Sequence, residues 1–409
     1  MIEQSFGKGS RIIGENDNLY IVTNTPNTTL HDIFNHATII DANGKQLTKT
    51  LPIGTLIGDD LDWKEIDTTY DKVVKNTETN IVDALIGFAI GDAFGVPMEF
   101  LSRNDIRKIK IKDMIGADTS IKLKSRWGET IPSGAWSDDT SMIVATLDSI
   151  IKNNGCINYY DIMNKFVLWY TKGEYTSYGK TFGVGNIVSK ALIKYIQGIE
   201  PLKCGGIDIM DNGNGSLMRI LPFSIYCIEN ALDEKETVQV ISEGSSLTHG
   251  HDISKMSCYI YTEFLRNILK TKNPILSLEI IQKINYSNYF SEEAILAHKK
   301  LLKKNFKFID DEKINSSGYV VDTLESVIYC IINSSSFEDA IEMAINMGYD
   351  TDTIGGITGS IAGILYSKKN IPERWLNCLK RKSYLEDLAY KFHMILKNNG
   401  KKNDYSMKI

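Results

Sequence analysis

Two clusters of oxygen-bearing side chains stand at the start of apolar, helix-like runs in this chain. One is Trp136-Ser137-Asp138-Asp139-Thr140-Ser141, ahead of Met142–Ile151. The other is Gly348-Tyr349-Asp350-Thr351-Asp352-Thr353, ahead of Ile354–Tyr366. Each supplies two carboxylates with hydroxyls beside them, the hard oxygen donors that a Mg²⁺-like ion takes. Taken singly, each is also a plausible helix start. Ser137 suits an N-cap, and acidic residues in a first turn complement the helix dipole. Taken together, they offer four carboxylates and up to three hydroxyls, enough for a two-metal site.

Two further fragments belong with them. Asp83–Glu99 reads as a helix with small residues at Ala84, Gly87, Ala89, Gly91 and Ala93, ending at Gly95-Val96-Pro97 with Glu99 just beyond. An interior glycine costs about 1 kcal/mol relative to alanine, so several of them imply close helix packing. Asp211-Asn212-Gly213-Asn214-Gly215-Ser216 is a polar, Gly-rich loop that runs into an apolar segment reaching Pro222. Its backbone N–H groups could line an anion pocket.

Five motifs thus follow one another: Gly91-Asp-Ala-(x4)-Met98-Glu99, Ser137-Asp-Asp-Thr140, Gly213-Asn-Gly-Ser-Leu-Met-Arg219, Leu247-Thr-His249 and Asp350-Thr-Asp-Thr-Ile-Gly-Gly356. In this order they resemble the ADP-ribosylglycohydrolases, including the type that releases ADP-ribose from dinitrogenase reductase. The resemblance covers roughly residues 78–395. It implies that Ser137, Asp138, Asp139, Asp350, Asp352 and Thr353 hold two Mg²⁺ (or Mn²⁺) ions. The first position is often Thr in relatives, and Ser offers the same hydroxyl oxygen.

The resemblance also implies roles for two more acids. Glu99 would stabilise oxocarbenium-like charge on the ribose or deprotonate a water. Asp211 matches the Asp-x-Gly-Asn-Gly loop of the dinitrogenase-reductase type. An acid there suits a guanidinium leaving group and favours ADP-ribosyl-arginine over the serine linkage, although loop aspartates also make plain Asx-turns. The ADP portion would fall to Tyr178, Gly179, Gly183 and Gly185 of a Gly-rich segment, to Asn214, Gly215 and Ser216, and to His249. His249 and His251 raise a zinc alternative, but their i, i+2 spacing lacks the i, i+4 face of a helical zinc site. Arg219, inside an apolar segment, is expected to pair with a buried carboxylate.

Composition narrows the setting. The chain has 409 residues, 43% hydrophobic and 24% charged, with a net charge of −5. No basic footprint for nucleic acid is present, and no apolar run is expected to span a membrane. Six scattered cysteines without pairing motifs, and an N-terminus without a signal-peptide core, lead us to expect reduced thiols and a cytoplasmic protein.

The expected architecture is mainly α: an orthogonal helical bundle of the ADP-ribosylglycohydrolase type over residues 76–398, preceded by a small β-containing module over 1–75. Leu19–Thr23 reads as a strand, and Asn43-Gly44 as a hairpin turn between Thr38–Ala42 and Lys45–Lys49. Residues 68–79 read as a polar connector. Helical periodicity predicts helices near 80–94, 138–153, 157–171, 183–197, 234–245, 252–270, 291–303, 318–333, 337–347, 353–366 and 384–397. Residues 101–135 read as irregular, with a loop over the site, and the tail from Asn398 as disordered.

The expected function is therefore metal-dependent removal of ADP-ribose from a modified protein, with arginine as the acceptor. The alternatives are a hydrolase of other ADP-ribose conjugates and an immunity protein that neutralises a cognate ADP-ribosylating toxin or transferase by binding as well as by hydrolysis. A catalytically dead structural relative fits poorly, because every metal-ligand position keeps an oxygen.

Overall fold

The computed structural model describes residues 77–406 apart from Lys122, and five strands before them; side chains are described from Asn80 to Asn398. Contacts divide the chain into one unit of Met1–Asn76 with Asn267–Ile280, and another of Thr77–Arg266 with Ile281–Ile409.

The first unit holds a sheet in sequence order: β1 (Ile2–Phe6), β2 (Ser10–Glu15), β3 (Asn18–Thr23), β4 (Thr38–Asp41) and β5 (Gln46–Leu47). β3 is the expected strand, and β4 and β5 pair antiparallel with Ile39 opposite Leu47, as the hairpin reading requires. The Asn43-Gly44 turn and the 68–76 part of the connector lie outside the described residues. β3 and β4 run parallel, a crossover that the sequence did not announce.

The helices are α1 (Thr77–Gly95), α2 (Arg103–Ile109), α3 (Asp138–Lys152), α4 (Tyr159–Lys172), α5 (Asn186–Ile196), α6 (Leu221–Glu229), α7 (Glu234–Ser246) and α8 (Asp252–Thr271). They continue as α9 (Pro274–Ile281), α10 (Glu292–Ala297), α11 (Val320–Asn333), α12 (Phe337–Asn346), α13 (Thr351–Tyr366), α14 (Glu373–Cys378) and α15 (Lys382–Ser406). Local chemistry sets many of the starts. Ser137 Oγ accepts from the Asp139 N–H, and Ser336 accepts from the Asp339 N–H. Asp233 and Glu236 form a reciprocal capping box on α7.

Four helices were not expected: α2, α6, α9 and α14. They are short, and Pro222 and Pro274 sit in the first turns of α6 and α9, where proline starts a helix as readily as it breaks one. α10 ends at Ala297, short of the expected 303. α15 continues to Ser406, through a stretch read as disordered; that stretch contains no proline to stop it.

α1 decides where the site lies. By length and apolarity it would pass as a membrane span, contrary to the sequence reading, but 94% of that window is buried inside the protein. It is a core helix, and it packs against α13 through facing glycines. A Cβ at Gly91 would stand 1.9 Å from the Gly355 carbonyl oxygen, and one at Gly87 would stand 2.1 Å from that of Gly359. Gly95 meets the backbone of Thr351 and Asp352 just as closely. The glycines thus let two backbones touch, which sets the end of α1 beside the first turn of α13. The Thr351 hydroxyl fastens that junction by donating to the Gly95 carbonyl at 2.8 Å.

Candidate active site

The starts of α3 and α13, the end of α1 and two Gly-rich loops enclose a cavity of about 380 Å³. Its lining includes Glu99, Asp138, Asp139, Asp350, Asp352 and Thr353. Gly183, Gly185, Asn214, Gly215 and His249 line it too. Larger concavities lie beside Arg103 (about 650 Å³) and Lys112 (about 510 Å³). There Arg103 donates to the carbonyls of Met347, Asp311 and Ile314, and Lys112 pairs with Glu342. Unspent chemistry is concentrated in the smaller cavity.

Burial there works against charge. Asp138, Asp139 and Asp352 are pushed well above the ordinary carboxylate range, first by burial and then by neighbouring acids. Asp350 is raised by burial, while Asn214 donates to its Oδ2 at 2.7 Å and limits the rise. Asp139 Oδ2 and Asp352 Oδ1 are buried without a hydrogen-bond partner. A buried orphaned carboxylate oxygen is costly, and a cation removes that cost. The donor set is all oxygen, as Mg²⁺ or Mn²⁺ prefers. Among the described residues, no three His, Cys, Asp or Glu side chains already surround one point as an ion's ligands would. The acids fit ions in chemistry and placement without being drawn into a finished coordination shell.

Ser137 stands just behind this lining; its hydroxyl oxygen accepts from the Asp139 N–H in the α3 cap and keeps a second lone pair. The Thr353 hydroxyl reaches both Asp139 and Asp350. Gly183, at φ +82°, lies over Asp138: a Cβ there would sit 2.3 Å from Asp138 Oδ1. Glycine is needed at this position twice over, for the backbone angle and for the approach.

Glu99 is raised to about 7, first by burial and then by Asp350. The Trp127 indole N–H donates to its Oε2, and Glu99 lines the cavity. Arg126, the single cation among the described lining residues, lies over the rings of Phe100 and Trp127. Phe100 and Tyr349, which adjoin Glu99 and Asp350, both have positive φ, 68° and 60°. A hydrogen bond from Phe100 N to the Tyr349 carbonyl (2.6 Å) and one from Tyr349 N to the Leu101 carbonyl (2.8 Å) hold them there. Strain of this kind persists only where surrounding structure enforces it.

A description of the ADP-ribosylglycohydrolase family matches residues 74–402. The chain belongs to this family. An ADP-ribosylarginine hydrolase Tri1 of Serratia proteamaculans is 33% identical over 310 residues, covering 75% of this chain and 76% of that protein. The Tri1 of Pseudomonas putida is 30% identical, with the same coverage of both chains. The ADP-ribosyl-[dinitrogen reductase] glycohydrolase of Rhodospirillum rubrum is 26% identical, covering 73% of this chain and 90% of that one. A solved structure, an ADP-ribosylglycohydrolase-related protein complex, superposes with a TM-score of 0.60 over 79% of this chain and 99% of its own at 23% identity, and so supports the fold.

Not every expected residue of this glycohydrolase reaches the cavity. Asp211 does not line it. Its Oδ2 accepts from the Asp208 backbone N–H at 3.2 Å in a capping box, and its side chain packs under Gly206. The plain turn reading therefore describes its placement. Ser216 is fully buried beside Cys258 Sγ at 3.5 Å. Tyr178 stacks near Phe182 (5.9 Å), which in turn meets Trp127 (5.4 Å), so it supports the Glu99 partner from behind. Gly179 has φ +85° with open space where a Cβ would go and does not line the cavity; the turn already calls for glycine there. Arg219 has no carboxylate among its described partners. It donates to the Gly244 and Ser245 carbonyls and to Thr248 Oγ1, over the Phe166 ring.

Sequence reasoning missed Asp92 and Trp127. Asp92, fully buried, accepts from the Ser137 N–H (2.9 Å), the Thr140 N–H (3.1 Å) and the Thr140 hydroxyl (2.6 Å). It thereby caps α3 from α1, and burial raises it to about 6. An aspartate inside the apolar run Ala89–Phe94 was the available signal, since a buried acid needs partners. Trp127 had none, because it lies in a stretch without periodicity.

Proposed function

We propose that this chain hydrolyses the N-glycosidic bond joining ADP-ribose to arginine side chains of proteins. The observation that carries the reading is the convergence of four aspartates, three of them buried and two with orphaned oxygens, beside Glu99, which burial raises to about 7. The similarity to proteins named ADP-ribosylarginine hydrolases supports arginine as the acceptor.

Ser137, Asp138, Asp139, Asp350, Asp352 and Thr353 would hold two Mg²⁺ (or Mn²⁺) ions. Bound there, such ions neutralise the acids and polarise the ribose hydroxyls. Glu99, fixed through Oε2 by Trp127, uses Oε1 to take a proton from the attacking water. Hydroxide adds at C1 of the ribose as the C1–N bond breaks, and the proton that Glu99 took from the water passes to the leaving guanidine nitrogen. Arg126, beside Glu99, keeps part of that carboxylate ionised. Gly183–Gly185, leading into α5, and Gly213–Gly215 bring backbone, rather than side chains, against the nucleotide portion.

The deciding experiment offers arginine- and serine-ADP-ribosylated proteins to the purified protein with Mg²⁺ and follows free ADP-ribose. Release from arginine is expected; release from serine alone would overturn the acceptor. A second reading, as partner of an ADP-ribosylating enzyme, draws on the family match beginning at residue 74, which leaves the strands of the first unit as an addition. In that case a protein starting at Lys75 turns over ADP-ribosyl-arginine normally but fails on the modified protein.

A further inference from the structure

We infer that Arg219 and Thr248 are positioning residues that fix His249 as its Nε2–H tautomer, so that the ring offers the cavity a hydrogen-bond donor. Arg219 is fully buried, and its guanidinium can only donate. One of its nitrogens lies 2.7 Å from Thr248 Oγ1, so the threonine oxygen accepts there. The hydroxyl, itself fully buried, must then place its own proton. Its other described partner is His249 Nδ1, 2.9 Å away. Thr248 therefore donates to Nδ1, and the ring proton resides on Nε2. The opposite tautomer would leave a buried hydroxyl proton without a described acceptor, which is costly.

The imidazole is also neutral, because burial and then the nearby Arg219 charge push its pKa down to about 3. The edge that carries Nε2 lies under the Gly-rich turn. A Cβ at Gly213 would be 3.5 Å from Nε2, and one at Gly215 would be 2.7 Å from Cε1. The cavity lining carries five carboxylates and the single cation Arg126. An anionic oxygen of the ligand finds few partners there. A neutral N–H donor supplies one without adding a second acceptor. The relay gives a use to the Nη2 contact of a buried arginine that no carboxylate among the described residues neutralises.

The ligand in this argument, a diphosphate-bearing nucleotide sugar, rests on the proposed function; the tautomer does not. The test uses the full-length protein. Nitrogen-15 NMR of labelled histidines should show His249 protonated on Nε2 in the ligand-free protein. Thr248→Val should mix the tautomers and weaken ADP-ribose binding about tenfold or more by calorimetry. It should raise KM for ADP-ribosyl-arginine with kcat changed less than about threefold. Thr248→Ser should restore the tautomer and the affinity. A wild-type ring protonated on Nδ1 overturns the inference whether or not any variant folds. So does a Thr248→Val protein with unchanged tautomer and affinity. A wild-type Nε2–H ring in a protein that ignores ADP-ribose would leave the relay standing and sink the proposed substrate.

Discussion

The residues lining the cavity fall into two sets that are built in opposite ways. The acids stand on helix ends: Asp138 and Asp139 open α3, Asp350 and Asp352 open α13, and Asp92 braces α3 from within α1. Those helices are locked by backbone contact through Gly91, Gly355 and their neighbours. The other set is nearly neutral and comes from loops and one helix start: Gly183–Gly185 with the first turn of α5, Gly213–Gly215 and His249. Charge that must stay concentrated needs an unyielding frame, because like-charged groups push apart wherever the frame gives. Recognition through backbone N–H groups and one imidazole needs closeness instead, and glycine supplies that.

If the acid set does the chemistry, its failures should be the largest. Excess EDTA should abolish turnover, as should Asp352→Asn, with Mg²⁺ binding lost in parallel by calorimetry. Full turnover from verified metal-free protein would break the comparison at its root. Glu99→Gln comes next, with kcat down about 10²–10⁴-fold, the range for losing a general acid or base. Binding of ADP-ribose to that variant should change little, since recognition belongs to the other set.

Stability should separate the sets as well. Asp92 and Glu99 have folded-state values of about 6 and about 7, above the roughly 3.9 and 4.3 of an unfolded chain. The folded state therefore holds these protons more tightly. The stability they confer is complete below about pH 4 and is lost as pH rises through about 6 and then 7. Melts of ion-free protein should show Tm falling between about pH 5 and 8. If the folded site takes Mg²⁺, the ion should flatten that fall, and Asp352→Asn should reduce it without metal. A Thr248→Val protein should keep the wild-type slope. An Asp352→Asn protein that is badly destabilised at neutral pH without metal would mark that aspartate as a structural cap.

The same division explains what the sequence disclosed. Acids at helix starts announce themselves, because capping chemistry, apolar periodicity and adjacent carboxylates coincide at Ser137–Thr140 and Asp350–Thr353. The glycines of α1 likewise betrayed close packing before any partner was known. The loop set was legible only in part. Gly183 and Gly179 look alike as letters and share a positive φ, yet only Gly183 lies against an acid. Asp211 and Ser216 flank cavity residues in sequence but turn elsewhere, because a loop carries no period from which direction can be read. Arg219 was rightly placed inside, but its partners are carbonyls and a hydroxyl, which no pairing rule for charges would find.

Two glycine substitutions sharpen the point at smaller scale. Gly91→Ala must displace backbone on α13 and should cost about 1–3 kcal/mol, as overpacked cores do, with activity falling because the acids move. Gly179→Ala meets open space and strains only φ, a cost of about 1–2 kcal/mol, with kcat and KM preserved. Urea unfolding and steady-state rates on the two variants test this. If Gly179→Ala were the more harmful to catalysis, the loops would be setting the acids, and the division would be false.

The smallest expected effect belongs to Asp211. Its carboxylate caps a short 3₁₀ turn at Ile209–Asp211 and does not line the cavity. Removing a cap costs about 1 kcal/mol, and this one is local to the loop. Asp211→Ala should therefore lower Tm slightly and leave kcat on ADP-ribosyl-arginine within about threefold of wild type. The motif in which it sits argues the other way, since an acid there would suit the departing guanidinium. The two accounts differ by at least the roughly 10²-fold that a lost acid/base group costs, so one rate measurement decides between them. A loss on that scale, with the melt unchanged, would mean that Asp211 leaves its turn when substrate binds, and the acid set would then extend into the loops.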